Sequence, residues 1–166
     1  MAESNKYSIL FVCLGNICRS PAAQAVMQRM VDELGLSERF FIDSAGIGGW
    51  HIGDLPDKRM RVHARPRGYE LTHRARKVQA GDFEDFDLIV GMDAGNVDDL
   101  RHLAATIEQQ DKVVMMGDYI RQFPHYDHVP DPYYEGSEGF ELVLDLLEDS
   151  CENLLDSILQ QNKISK

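Results

Sequence analysis

Cysteine and positive charge are scarce in this chain, and long apolar runs are missing altogether. Three cysteines cannot all pair within one chain, and Cys13 and Cys18 sit close together, so the thiols read as reduced rather than as a disulfide scaffold. Only 17 Lys and Arg stand against 28 Asp and Glu, and the net charge of −11 argues against nucleic acid as a partner. No apolar stretch approaches the roughly 18 residues that a membrane span needs. The opening Met-Ala-Glu-Ser-Asn-Lys does not have the pattern of a secretion signal. A cytoplasmic protein with no membrane partner is therefore expected. No repeat, linker or low-complexity tract interrupts the 166 residues, which read as a single domain with its core over about 7–160.

What is present is enough for a core, since 43% of the residues are hydrophobic. Apolar, β-rich segments recur at 7–12, 40–43, 87–92 and 112–116. Helical patterns lie between them. Val26, Met30 and Leu34 repeat at i, i+4 ahead of Gly35, and Val97, Leu100, Leu103, Ala104 and Ile107 form a second stripe after Asp93. The clearest stripe is Phe140, Val143, Leu144, Leu147, Cys151, Leu154, Leu155 and Ile158. Strands alternating with helices predict an α/β fold in three layers, a four-stranded parallel sheet flanked by helices. Ligands of such sheets bind beyond the carboxyl ends of the strands, near the point where the winding reverses. Cys13, the run Ser44-Ala45-Gly46 and Asp93 follow the first three strands, so they fall on that edge.

Charge is segregated along the chain. Residues 58–77 hold eight Lys or Arg against one acid, Glu70, whereas 140–160 holds six acids and no base. The basic stretch reads either as a solvated helix face, cut short by Pro66, or as a docking surface for acidic segments.

Residues 12–21, Val-Cys-Leu-Gly-Asn-Ile-Cys-Arg-Ser-Pro, carry the strongest chemical signal. A strand delivers Cys13, Ser20-Pro21 opens a helix, and the short loop between them can turn its N–H groups onto a phosphate. Arg19 adds a planar fork that grips two oxygens at once. A thiol at one end of the loop and a guanidinium at the other face the same anion, the layout of a cysteine nucleophile for phosphoryl transfer. On residues alone, Asp131-Pro132 is also a turn opener, Asp93 a helix cap and His73 a solvated histidine beside Arg74 and Arg76. His125, Asp127 and His128 have zinc-like spacing but lie in a Pro-bounded loop with no further ligand, so no metal is expected. Cys151 sits on the last apolar stripe and reads as core.

The run 12–21 resembles the phosphate-binding loop of the low-molecular-weight protein tyrosine phosphatases. The resemblance extends through Asp43-Ser44-Ala45-Gly46, Gly48-Gly49-Trp50-His51, His73-Arg74-Ala75-Arg76, Met92-Asp93 and Asp131-Pro132-Tyr133-Tyr134, in that family's order. The Trp50-His51 block is closer to prokaryotic members. The resemblance implies hydrolysis of a phosphotyrosine-bearing protein without any cofactor, by a monomer or weak dimer. It makes Cys13 the nucleophile and Asp131 the acid that protonates the leaving phenolate and then activates water. Leu14, Gly15, Asn16, Ile17, Cys18 and Arg19 would bind the phosphoryl oxygens. Ser20 would donate to the thiolate, Asn16, Ser44 and His73 would hold the loop open, and Asp93 would orient Arg19. Trp50, Tyr133 and Tyr134 would line the cleft, and Cys18 would trap an oxidised Cys13 as a disulfide. Two rivals on the same fold are an arsenate reductase, whose relay cysteines 79–92 lacks, and a protein-arginine phosphatase, which carries Thr where Ile17 stands. A non-enzymatic anion-binding module is the third alternative, disfavoured by the intact Cys13, Arg19, Ser20 and Asp131.

Overall fold

In the computed structural model, which describes residues 6–133 and 136–165, strand β1 (Tyr7–Cys13) is apolar toward both sides. Ile9, Phe11 and Cys13 join one core cluster and Leu10 and Val12 the other, all 3% exposed or less. A strand buried on both faces belongs in the middle of a parallel sheet. It pairs in parallel with β2 (Phe40–Gly46) on one side and β3 (Leu88–Gly91) on the other, and β3 pairs with β4 (Val113–Met115). The order β2-β1-β3-β4 places the reversal of winding beside the carboxyl end of β1.

Helices α1 (Arg19–Glu33), α2 (Lys58–Ala64) and α6 (Ser137–Gln161) pack over the Phe11 face. The short α3 (Asp82–Asp85) and α4 (Ala94–Leu103) cover the Val12 face with Phe83, Val97 and Leu100. This is the expected three-layer α/β arrangement. Helix α1 stops where Gly35 takes φ 72°, and Leu36 N–H turns back to the Val31 carbonyl at 2.9 Å. Every member of the C-terminal stripe is buried.

Two expectations change. The stripe from Val97 to Ile107 is not one helix. α4 ends at Leu103, Ala104 is extended, and the Thr106 side chain caps a separate α5 (Ile107–Asp111) by accepting from Gln109 N–H. Leu103 and Ile107 are consequently exposed, at 52% and 73%.

The basic stretch, in turn, is neither wholly solvated nor wholly free for docking. Pro66 does end the helix, in a 3₁₀ turn over Arg65–Arg67. That turn aims Arg67 at α6, where it meets Glu141 at 2.7 Å, Asp145 at 3.0 Å and Glu148 at 2.8 Å. His63 Nδ1 lies 2.5 Å from Glu141, and the Tyr69 hydroxyl donates to Glu148 at 2.7 Å. The oppositely charged segments of the sequence thus face each other across the Phe140 side of the molecule.

Arg67 and His63 hold the Glu141 carboxyl below its ordinary range. A depressed carboxyl contributes stability that is present above its unfolded value, near 4.3, and is lost as pH falls through the folded one. We expect Arg67→Met to cost about 2 kcal/mol, read at neutral pH as a fall in Tm of roughly 4–8 °C. That deficit shrinks as pH falls through the depressed Glu141 value, where the carboxylate that Arg67 meets loses its charge. An equal deficit at pH 3 and pH 7 would show that the stem of Arg67, not its charge, matters.

Candidate active site

The loop after β1 is organised by one carboxamide. Asn16 takes φ 59°, the left-handed region that Asn tolerates, and its side chain is buried. Asn16 Oδ1 accepts from the Arg76 backbone N–H and from His73 Nε2, each at 3.0 Å. Its Nδ2 donates to Ser20 Oγ at 2.8 Å and Ser44 Oγ at 3.0 Å. A backbone N–H can only donate, so the Arg76 contact fixes which way the amide points and requires a proton on His73 Nε2. Burial holds the His73 pKa below the usual imidazole range, although Asp43 pulls the other way.

Ser44 passes its own proton to Gln24 Oε1 at 2.6 Å. The Ser20 hydroxyl is left to serve Cys13 Sγ at 3.0 Å, with the Ala45 carbonyl farther off at 3.4 Å. Helix α1 begins at Arg19, so Ser20 and Pro21 lie within its first turn rather than ahead of it. The cap position falls to Cys18, which makes no side-chain cap bond. The first turn carries no acid, so the positive end of the helix faces the loop undiminished. Among the described residues, the N–H groups of Gly15, Asn16, Ile17 and Cys18 meet no protein acceptor. They are the donors an anion would use. Gly46 lies close opposite them: a Cβ there would stand 3.0 Å from the Gly15 carbonyl carbon and 3.1 Å from Asn16 N and would press the loop backbone.

Arg19 is 2% exposed. Its Nη1 donates to Asp93 Oδ2 at 2.6 Å and to the Val129 carbonyl at 3.1 Å. Burial would weaken the guanidinium charge, but the Cys13 sulfur, Asp93 and Asp131 outweigh it and raise the Arg19 pKa. Asp93 makes both contacts: Oδ1 caps α4 through Asn96 N–H at 2.9 Å, and Oδ2 accepts from Arg19. Burial alone would raise its pKa, yet these bonds hold it below the usual carboxylate range.

Val129 ties the next wall in place. Its N–H donates to the Met92 carbonyl at 2.9 Å, beyond the end of β3, while its own carbonyl accepts from Arg19. Two residues on, Asp131 Oδ1 accepts from Tyr133 N–H at 3.0 Å and Oδ2 lies 3.6 Å from Arg19 Nη2. A cleft of about 220 Å³ results, with Cys13 and Arg19 at its base and Leu14, Ile17, Trp50, Asp131 and Tyr133 around it. Tyr134 lies outside the described residues. Cys18 also borders the cleft but is buried, and burial pushes its thiol well above the ordinary value. Cys151 is far from such a role, packed in α6 with Sγ 3.9 Å from the Ala23 carbonyl. Asp127 pairs with neighbouring His128 at 2.8 Å.

The structure therefore gathers Cys13, Arg19, Ser20, Ser44, His73, Asp93 and Asp131 at one sheet edge. Sequence reasoning missed Gln24, which anchors Ser44; the Arg76 N–H, which orients Asn16; and the Val129 carbonyl. It also missed His51, which borders the cleft against Gly15 and was legible as the neighbour of Trp50.

A family model described as low molecular weight phosphotyrosine protein phosphatase matches residues 8–164. A low molecular weight protein-tyrosine-phosphatase of Streptomyces coelicolor is 42% identical over 156 residues, 93% of this chain and 95% of the relative. The crystal structure of a protein tyrosine phosphatase from Entamoeba histolytica superposes with a TM-score of 0.90 at 42% identity, covering 96% of this chain and all of that one. A Drosophila arginine phosphatase shares the fold at a TM-score of 0.83 and 34% identity, covering 95% of this chain and 98% of its own.

Removing the Asn16 amide deprives four partners at once. We expect Asn16→Ala to cost about 3 kcal/mol, or roughly 6–12 °C in Tm, and Asn16→Gly about 1 kcal/mol less because Gly accepts the left-handed backbone. Equal losses in both variants would show that backbone conformation contributes nothing here.

Proposed function

The chain belongs to the low molecular weight phosphotyrosine protein phosphatase family, and from that premise we propose that Cys13, Arg19 and Asp131 carry its reaction. The observation that carries this reading is Cys13 Sγ, 3.0 Å from a hydroxyl and at the base of a cleft that holds both an immobilised arginine and a carboxylate.

Cys13 attacks phosphorus as its thiolate and forms a phosphocysteine, while the ester oxygen takes a proton from Asp131 and leaves as the phenol. Asp131, now a carboxylate, takes a proton from water as that water attacks phosphorus, releasing inorganic phosphate and the thiolate. Charge on the equatorial oxygens is met by the Arg19 fork and the loop N–H groups, which stand ready before substrate arrives. Ser20 donates to the thiolate in both of its appearances. Leu14, Trp50 and Tyr133 flank the ring, and these apolar walls favour an aryl ester over phosphoserine. The substrate is phosphotyrosine on a protein, met in a reducing cytoplasm where Cys13 stays free. Under peroxide, Cys13 oxidised to its sulfenic acid condenses with the Cys18 thiol, expelling water and leaving a reversible disulfide.

Turnover of phosphotyrosine and p-nitrophenyl phosphate tests the assignment. Cys13→Ser brings both to background. Asp131→Ala lowers kcat for phosphotyrosine roughly 100- to 10,000-fold and that for p-nitrophenyl phosphate less, since nitrophenolate leaves without a proton. Wild-type turnover by Cys13→Ser, or identical losses on both substrates for Asp131→Ala, would overturn the corresponding role.

A further inference from the structure

Internal pairing among the described residues leaves four cations of the basic stretch without a carboxylate, Lys58, Arg61, Arg74 and Lys77, and the last two lie along the segment that carries Trp50 of the cleft wall. Arg59, Arg65, Arg67 and Arg76 have carboxylate partners. Among the described residues, Arg74 and Lys77 have none within ion-pair distance. Both flank the segment that presents Trp50. Arg74 Nη1 donates to the Gly53 carbonyl at 3.0 Å, Gly53 N–H to the Ala75 carbonyl at 2.8 Å, and Ala75 N–H to the Asp54 carbonyl at 2.8 Å, so the two segments run together. The Lys77 stem passes alongside Gly49, with Cδ 3.7 Å from where a Cβ would stand. Trp50 and Ile52 are exposed on the same segment, at 69% and 64%.

The acids nearest Lys77 are already engaged, and among the described residues Asp54 is the one exposed carboxylate on the Arg74 side. Asp43 and Asp82 neutralise Arg76 between the two cations, and Asp54 Oδ2 lies 3.5 Å from His51 Nδ1. On a chain of net charge −11, a negatively charged segment is repelled by most of the surface and attracted here.

We propose that Arg74 and Lys77, with the apolar faces of Trp50 and Ile52, form a docking strip for an acidic segment adjoining the phosphotyrosine of a protein substrate. This rests on the phosphatase reading above. Phosphotyrosine seats in the cleft, an Asp or Glu a few residues away meets the two cations, and an intervening apolar side chain lies against Trp50. Exposed charges act over about 10 Å at 0.1 M salt, so the gain in KM fades as salt rises.

The experiment compares p-nitrophenyl phosphate with two phosphotyrosine peptides, one flanked by Asp and Glu, the other by Ser and Gln. Wild type should favour the acidic peptide about tenfold in kcat/KM at low salt, through KM. Arg74→Glu/Lys77→Glu should erase that preference while leaving p-nitrophenyl phosphate turnover unchanged, and Lys77→Gln should lose part of it. No preference in wild type, or a preference that survives the double substitution, would overturn the strip. Equal losses on all three substrates would also overturn it, by placing these residues in the fold or the chemistry. Failure of wild type on every substrate would instead refute the phosphatase reading.

Discussion

The left-handed Asn16, with both ends of its amide occupied, is the constraint from which the rest of the site follows. Its four hydrogen bonds join the β1 loop to helix α1, to β2 and to the segment around His73, pieces that the chain brings together only once the sheet has formed. With the amide in place, the loop cannot relax toward its own N–H groups. Those groups keep facing outward, and the Ser20 hydroxyl keeps its proton for Cys13. Because Asn16, Ser20 and Ser44 are buried and satisfied, loss of one partner leaves the others with polar atoms that water reaches poorly.

A second organising force is charge. Arg67 and His63 on one side, and the acids of α6 on the other, convert a segregated sequence into a paired contact between helices. With the pairs of Arg59, Arg65 and Arg76, this contact leaves half of the eight Lys and Arg of 58–77 matched to a carboxylate. The cations that folding leaves without a carboxylate are the freest to act on something outside the molecule, and two of these run beside the segment that carries Trp50.

Much of this was legible in the sequence because it was local. The Cys13–Arg19 spacing, the apolar strand before it and the helix after it belong to one continuous run, and the alternating segments gave the parallel sheet. The role proposed for Asp131 was legible only through a family likeness, since it lies 112 positions after Arg19 and an Asp-Pro pair by itself marks a turn. The Val129 carbonyl has no side-chain signature and could be found only in three dimensions. The pairing of Arg67 with α6 was hidden for a related reason: charge patterns show that segments differ in sign, not that they meet. The break between α4 and α5 was missed because hydrophobic spacing continued through it, while the cap at Thr106 and the extended Ala104 interrupted the backbone.

Arg19 has one further consequence. Its Nη1 is held by Asp93 and the Val129 carbonyl, and the side chain is 3% exposed, so a single rotamer is selected when the protein folds. An arginine ordered from a free state gives up about 1.5–2 kcal/mol of conformational entropy. Here that loss belongs to folding and is absent from binding. On the proposed reading, an arriving anion would meet a fork already aligned, and its affinity would not be diminished by the freezing of a long, mobile side chain.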